Sequence, residues 1–433
     1  MLRTVEDTLA IREMVVSDSP KRAVILGGGF IGLEMAENLA DLGIDTTIVV
    51  RSQQLLPPLD EDMAHILHTE FRKHGVHLLF GKSTASFLET AFGLDVCFED
   101  GDTVSADLVI LAAGVAPESA LARDIGLALG AKGSIAVDEH MQTSLPDIYA
   151  VGDAVEIRHV VTGQKAVISL AGPANKEARV AADNICGLES RYPGSAASSV
   201  MKVFERTVAV TGINEKSAKS AGIDYEKVIL SPANHAGYYP GAKNMIMKVL
   251  FEKTSQRILG AQIIGFSGVD KRIDVLATAM QAGLKASELA DLDLAYAPPY
   301  SSAKDPVNMA GFMAENIANG ILKQFHWHDI PELQKNPEVF LLDTRTVGEY
   351  NRGHADGFTL IPVDELRERL NEIPAGKPVY VMCQSGLRSY LACRILSQNG
   401  FDCYNFAGGY SFYKAVVLDE QIAVRSFHCG MEK

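Results

Sequence analysis

The chain has 433 residues, enough for two to four domains, and its 47% apolar and 22% charged content is ordinary for a globular protein. A net charge of −14 disfavours nucleic acid as a partner, because an anionic surface repels a polyanion. No apolar run approaches a membrane span, the N-terminus lacks the apolar core of a signal peptide, and six scattered cysteines form neither a disulfide framework nor a zinc motif, so a reducing cytoplasm is the expected location.

In chain order, residues 1–18 read as a connector. Arg22–Gly27 reads as a buried parallel strand and Leu33–Leu42 as a helix. Between them Gly27, Gly29 and Gly32 make a G-x-G-x-x-G, completed by Phe30 and Ile31. The first glycine permits a tight turn, the second lets backbone approach a pyrophosphate, and the third lets helix pack on strand. The helix start attracts phosphate. With a second strand over Asp45–Val50, a dinucleotide site is expected within residues 19–115. A carboxylate at that strand's end would hold the ribose of NAD, but Val50 and Arg51 stand there. An arginine can meet a 2′-phosphate, which points to tolerance of NADPH; a solvated surface charge is the other reading. Glu34 either helps position the nicotinamide side or caps its helix. The apolar run after Asp107 reads as a further buried strand, with a crossover turn at Gly114.

Asp107-Leu-Val-Ile-Leu-Ala-Ala-Gly-Val-Ala-Pro117 and Thr143-Ser-Leu-Pro-Asp-Ile-Tyr-Ala-Val-Gly-Asp153, placed after a dinucleotide loop, resemble the pyridine nucleotide-disulfide oxidoreductases, a flavoprotein family. The resemblance implies that Asp153 hydrogen-bonds the ribityl chain of FAD, with Gly152 allowing close approach; a helix N-cap is the bland role for Asp153. It places the helix begun by Leu170–Arg179, with Ala171, Pro173 and Ala174, near the flavin, and makes residues 116–197 the second part of an FAD domain. Residues 198–320 resemble the family's dimerisation domain and imply a homodimer. Strands are expected there over Ser199–Val210, Met245–Phe251 and Ile258–Ile264, and helices over Val269–Gly283 and Ala286–Ala290. The segment Leu294–Asn308 looks like the coenzyme A-disulfide reductase and NADH oxidase branch. In those reductases, tyrosines matching Tyr238 and Tyr296 approach the flavin or the sulfur chemistry from the other subunit. A phenol can donate a hydrogen bond to a leaving thiolate, although interfacial packing would also use a tyrosine.

Members of this family begin with a first FAD half-domain that carries a second glycine fingerprint and then a redox cysteine. This chain opens at Met1-Leu-Arg-Thr-Val-Glu-Asp, which resembles the connector just before the nucleotide domain. Cys97, in an apparent strand, and Cys186, at an apparent helix end, read as structural. A segment of roughly a hundred or more residues is therefore expected ahead of the present start. Truncation is favoured over a true lack, because the remaining half would expose a sheet edge and an apolar face.

Residues 321–329 read as a linker with the only tryptophan, Trp327. Beyond it, Val379–Met382 reads as a buried strand and Ser389–Gln398 as a helix, with Cys383 at the junction. There, backbone N–H groups and the helix dipole favour thiolate over thiol. Gly386 lets the loop of Gln384, Ser385, Gly386 and Leu387 curl around the sulfur, and Arg388 adds positive charge. Val379-Tyr-Val-Met-Cys-Gln-Ser-Gly-Leu-Arg388 resembles the active-site loop of a rhodanese domain, a sulfurtransferase module. Phe340–Arg345, Glu349-Tyr350, Gly353–Gly357, Ile361-Pro362 and Gly408–Tyr410 extend the likeness. It implies a persulfide on Cys383 and a bracing role for Asp343 and Arg345, with surface ion pairing as the plain alternative. The resemblance also implies that a loop of this size, from Cys383 to Arg388, suits a sulfur-sized substrate rather than a phosphate. The domain is expected over 330–424, followed by a tail over 425–433 whose Cys429 is either a resolving or an incidental thiol.

The expected fold is α/β: a Rossmann-like nucleotide domain, a partial FAD domain, an α+β dimerisation domain and an α/β rhodanese domain. The expected activity is FAD-dependent reduction, by NAD(P)H, of persulfides, polysulfides or coenzyme A disulfide, coupled to sulfur transfer at Cys383. A sulfur carrier without flavin activity and an NADH oxidase or peroxidase are the competing readings.

Overall fold

The computed structural model describes residues 1–91 and 93–428, with side chains as far as residue 420; Cys429 lies outside the described residues. The chain divides into two compact units. The first is Met1–Leu59, His74–Met201 and Ala209–Ile223; the second is Asp60–Lys73, Lys202–Val208 and Asp224–Lys433.

In the first unit a parallel sheet runs in the order His77–Phe80, Asp45–Val50, Arg22–Leu26, Leu108–Leu111. Arg22 pairs with Asp45 and Leu26 with Val49 on one side, and Leu26 with Leu111 on the other. The central strand is apolar throughout its interior because both faces are covered, and Val24 and Ile25 are buried. The helix that crosses over spans Phe30–Asp41 and so starts three residues before the expected Leu33. Gly29 is its N-cap, and Gly32 falls inside the first turn. A Cβ on Gly32 would lie 2.0 Å from the carbonyl oxygen of Gly27, so the helix can seat on the strand only at a glycine. An antiparallel meander of Thr84–Thr90, Gly93–Phe98 and Thr103–Ala106 follows. A smaller layer holds Ile135–Ala136, Val155–Arg158 and the helix Ala171–Ile185 over a core of Val137, Val155, Ile157 and Val180. The N-terminal stretch read as a connector is a helix, Val5–Asp18, with a capping box between Thr4 and Asp7 and no buried residue.

In the second unit the strands Tyr225–Leu230, Ile246–Glu252 and Ile258–Gly265 pair antiparallel. The helices Val269–Gln281 and Pro306–Ala318 belong to the same part of the chain. The stretch read as one strand from Ser199, of which only Lys202–Val208 falls in this unit, is two, Ser199–Val203 and Arg206–Gly212, because Phe204 adopts a φ of 51°. A five-stranded, all-parallel sheet completes the unit in the order Gln324–Phe325, Cys403–Phe406, Val379–Met382, Phe340–Asp343, Thr359–Leu360. The expected linker therefore supplies this sheet's edge strand, and Phe325 and Ile330 enter its core. Buried apolar anchors outweigh the polar look of the segment. The last helix runs Gly409–His428, across the expected boundary at 424.

Candidate functional site

A cleft of about 860 Å3 opens in the first unit, lined by Gly27–Gly29, Val50–Ser52, Lys82 and Ala112–Gly114 among others. It lies where the helix Phe30–Asp41 begins, and Gly29 offers that helix no side-chain cap. Its first N–H groups therefore remain available to an anion. Gly27, Gly29, Arg51 and Gly114 all line the cleft. Phe30, Ile31 and Gly32 form the helix's first turn behind it, and Glu34 is exposed one turn on, away from the lining and away from the N-cap. Lys82 was not legible as a cleft residue: it follows the third strand with no motif to mark it. Its ammonium is held 2.5 Å from both Asp100 and Asp102, which raises its pKa and neutralises it locally. Arg51 is exposed on this wall, and among the described residues no ion pair is seen for it. Amides at a helix start, a flat approach and one cation fit a dinucleotide.

Elsewhere in the same unit, Gly152–Ala154 makes a single 3-10 turn. The Gly152 amide donates to Glu177 Oε2 at 2.7 Å. Glu177 is buried, and burial raises its carboxyl pKa despite that bond. The Gly152 Cβ position lies 3.9 Å from the Ala174 Cβ, so the turn and the start of the helix Ala171–Ile185 meet at small residues. Pro173 is buried while Ala171 is exposed. Asp153 caps no helix; its carboxylate is exposed beside this junction. An outward acceptor next to uncapped helix amides fits a polyol such as the ribityl chain. Glu177, which fixes the turn, lay beyond the expected set.

In the second unit the Tyr238 and Tyr296 hydroxyls lie 3.2 Å apart, both exposed, and the hydrogen bond raises the pKa of Tyr296. They are 58 residues apart in sequence. The buried guanidinium of Arg272, which lines a cleft together with Tyr296, donates to Asp305 Oδ2 and the Asn234 carbonyl, each at 2.9 Å. That cleft, of about 590 Å3, is also lined by Lys271, Asn234 and Tyr300.

Cys383 lies between the strand Val379–Met382 and the helix Leu387–Gln398, which starts two residues before the expected Ser389. Its Sγ is buried and accepts from the Gly386 amide at 3.1 Å and the Ser389 hydroxyl at 3.2 Å. Gly386 reaches this position at a φ of 101°, which side chains resist. Asp343 and Arg345 form a fully buried, two-pronged ion pair. From there Arg345 donates to Gln384 Oε1 at 3.3 Å and stacks over Tyr410. Gln384 also donates to Ser411, and the Tyr410 amide donates to the Cys383 carbonyl at 2.7 Å. Ser385 packs against Gly409 and Leu387 is exposed at the rim. Arg388 does not stand as an unbalanced positive charge: Glu349 accepts two bonds from it at 2.7 Å, and the guanidinium pushes that carboxyl down to about 2. Ser389, which touches the sulfur, was hidden because it reads as an ordinary helix-start serine.

Family models match along the chain: pyridine nucleotide-disulphide oxidoreductase over residues 1–178, the dimerisation domain of the same family over 198–306, and a rhodanese-like domain over 327–415. The chain is 36% identical over 302 residues to an NAD(P)H coenzyme A polysulfide/persulfide reductase of Pyrococcus horikoshii, spanning 70% of this chain and 67% of the relative. It is 34% identical over 317 residues to a coenzyme A disulfide reductase of Staphylococcus haemolyticus, spanning 73% and 71%. Among solved structures, reduced Bacillus anthracis CoADR-RHD matches with a TM-score of 0.93 and 45% identity, covering 96% of this chain and 75% of that one.

Proposed function

Since the chain belongs to the pyridine nucleotide-disulphide oxidoreductase family, we propose that it acts as an FAD-dependent NAD(P)H reductase of persulfides, polysulfides or coenzyme A disulfide, joined to a sulfurtransferase site at Cys383. The observation that carries this reading is the thiol of Cys383, held by the Gly386 amide and the Ser389 hydroxyl on a chain that also bears a dinucleotide cleft. FAD, when bound, supplies a two-electron relay between nicotinamide and a sulfur–sulfur bond. The helix-start amides behind Gly29 would hold the pyrophosphate of NAD(P)H, and Arg51 would meet a 2′-phosphate. Asp153 and the turn at Ala171, Pro173 and Ala174 would hold the flavin's polyol side. Tyr238 and Tyr296 keep a proton at their phenol oxygens for a departing thiolate.

At the second site, the Cys383 thiolate attacks the outer sulfur of a persulfide. A new Sγ–S bond forms, the carrier leaves as its thiolate, and the two donors stay on sulfur throughout. Asp343 and Arg345 position the loop through Gln384. Fusing reductase and transferase raises the effective concentration of each for the other's product. A homodimer fits the match to the dimerisation domain. Among the described residues no helix is long and apolar enough to cross a membrane, and a cytoplasmic site of action suits the free thiols.

The full chain, supplied with FAD, should consume NAD(P)H when coenzyme A persulfide or coenzyme A disulfide is added. Cys383→Ser should keep disulfide turnover and lose sulfur transfer to cyanide. Sulfur transfer without any NAD(P)H consumption would instead assign the chain to sulfur carriage alone.

A further inference from the structure

Cys393 and Cys403 are ten positions apart in sequence, with no motif to link them, yet the fold sets them side by side. Cys393 lies on the helix Leu387–Gln398 and is 5% exposed; Cys403 opens the strand Cys403–Phe406 and is partly exposed. Cys403 Sγ donates to the Cys393 carbonyl oxygen at 3.2 Å, and each thiol acts on the pKa of the other. Cys393 belongs to the apolar cluster of Leu342, Val381 and Leu396, which keeps water from the inner sulfur, and Cys403 packs against that cluster.

The contact divides the pair. The neighbouring Cys393 thiol lowers the pKa of Cys403 against burial and Asp402, with Arg394 and Lys323 acting in the same direction. The same contact, and then burial, raises the pKa of Cys393 well above that of a free thiol. Cys403, the more accessible of the two, is therefore the sulfur that meets an incoming disulfide, and the buried Cys393 is the one that resolves it.

We propose that Cys393 and Cys403 form a reversible dithiol–disulfide couple, oxidised by small-molecule disulfides of the coenzyme A disulfide class. The Cys403 thiolate attacks one sulfur of the disulfide and expels the first thiolate, leaving a mixed disulfide on Cys403. Cys393 then gives up its proton to solvent and attacks Cys403 Sγ, and the second thiolate leaves. The protein loses two electrons and two protons, and the small disulfide becomes two thiols. Neither flavin nor nicotinamide takes part, so this couple stands or falls apart from the reductase reading.

The test uses the full chain, reduced, freed of reductant and incubated with coenzyme A disulfide. It is then denatured, alkylated and mapped by mass spectrometry. A peptide pair joined through Cys393 and Cys403, lighter by two hydrogens and released by dithiothreitol, is the expected product. It should appear equally in Cys383→Ser. In Cys393→Ser, Cys403 should instead retain one coenzyme A as a stable mixed disulfide. Should that variant fail to fold, Cys403→Ser at the more exposed position replaces it, and there Cys393 should remain fully alkylatable. Full alkylation of both thiols in the wild-type chain, while Cys383 has been modified, would overturn the proposal. So would a cross-link from Cys403 to Cys383.

Discussion

Two donors hold the Cys383 sulfur, and only one of them is backbone. The Gly386 amide cannot be removed by mutation, but the Ser389 hydroxyl can. A hydrogen bond to a charged acceptor contributes roughly 1.5–3 kcal/mol, and the attacking thiolate and the persulfide anion are both charged acceptors. Ser389→Ala should therefore slow sulfur transfer to cyanide by about tenfold or more, with far-UV circular dichroism unchanged; an unaltered rate would show that the backbone suffices. Arg51 invites a parallel test at the other site. It is exposed, unlike the neutralised Lys82, so its removal disturbs no internal ion pair. Arg51→Ala should weaken binding of 2′-phosphorylated ADP-ribose by about tenfold and leave ADP-ribose within about twofold, a difference worth ~1.4 kcal/mol. Equal losses for both ligands in calorimetry would mean that Arg51 does not read the phosphate.

At the scale of elements, Gly32 shows how close the first helix sits to its strand. An added Cβ would meet the Gly27 carbonyl oxygen at 2.0 Å, and backbone cannot swing aside as a side chain would. Gly32→Ala should cost about 2–3 kcal/mol of stability and lower affinity for ADP-ribose, seen as an earlier urea midpoint and a weaker calorimetric signal. An unchanged midpoint would mean that the helix shifts freely. This glycine was legible because its spacing encodes a local turn, and so were apolar strands such as Arg22–Leu26 and Val379–Met382. The helix Pro306–Ala318 was missed although Asp305, Pro306 and Asn308 carry a readable capping signal; the tyrosine-bearing segment before it had absorbed those residues. The edge strand Gln324–Phe325 is too short to show any period, and its identity comes from pairing with Asn405 and Phe406. The same limit applies to the partners Arg272–Asp305, Arg388–Glu349 and Cys393–Cys403. Each is a contact made by the fold, and nothing in the local spacing of either residue announces the other.

At the scale of the whole molecule, the chain leaves its first unit at Leu59 and returns at His74, and the helix between belongs to the second unit. There the helix Glu61–Lys73 packs along the C-terminal helix Gly409–His428 through a buried polar cluster. His65 and His68 each donate Nδ1–H to Asp419 Oδ2, at 2.7 and 2.8 Å, and Arg72 pairs with the same carboxylate. One carboxylate balances one guanidinium, so the cluster is neutral only while both imidazoles are neutral. Burial lowers both histidine pKa values, that of His68 well below the ordinary 6.5; Glu61, Asp62 and Glu420 oppose this at His65. A folded-state pKa below the unfolded one means that the unfolded chain binds more protons. The stabilisation is thus complete above about pH 6.5 and is lost as pH falls toward the folded-state values. Thermal scans from about pH 7.5 to about pH 5 should show a falling melting temperature, and His68→Gln, which keeps a donor but cannot titrate, should flatten that slope. Asp419→Asn should cost about 3–5 kcal/mol at neutral pH, because it removes the buried carboxylate that Arg72 and both histidines share. A melting temperature equally steep in acid for wild type and His68→Gln would place the acid sensitivity elsewhere than between these two helices.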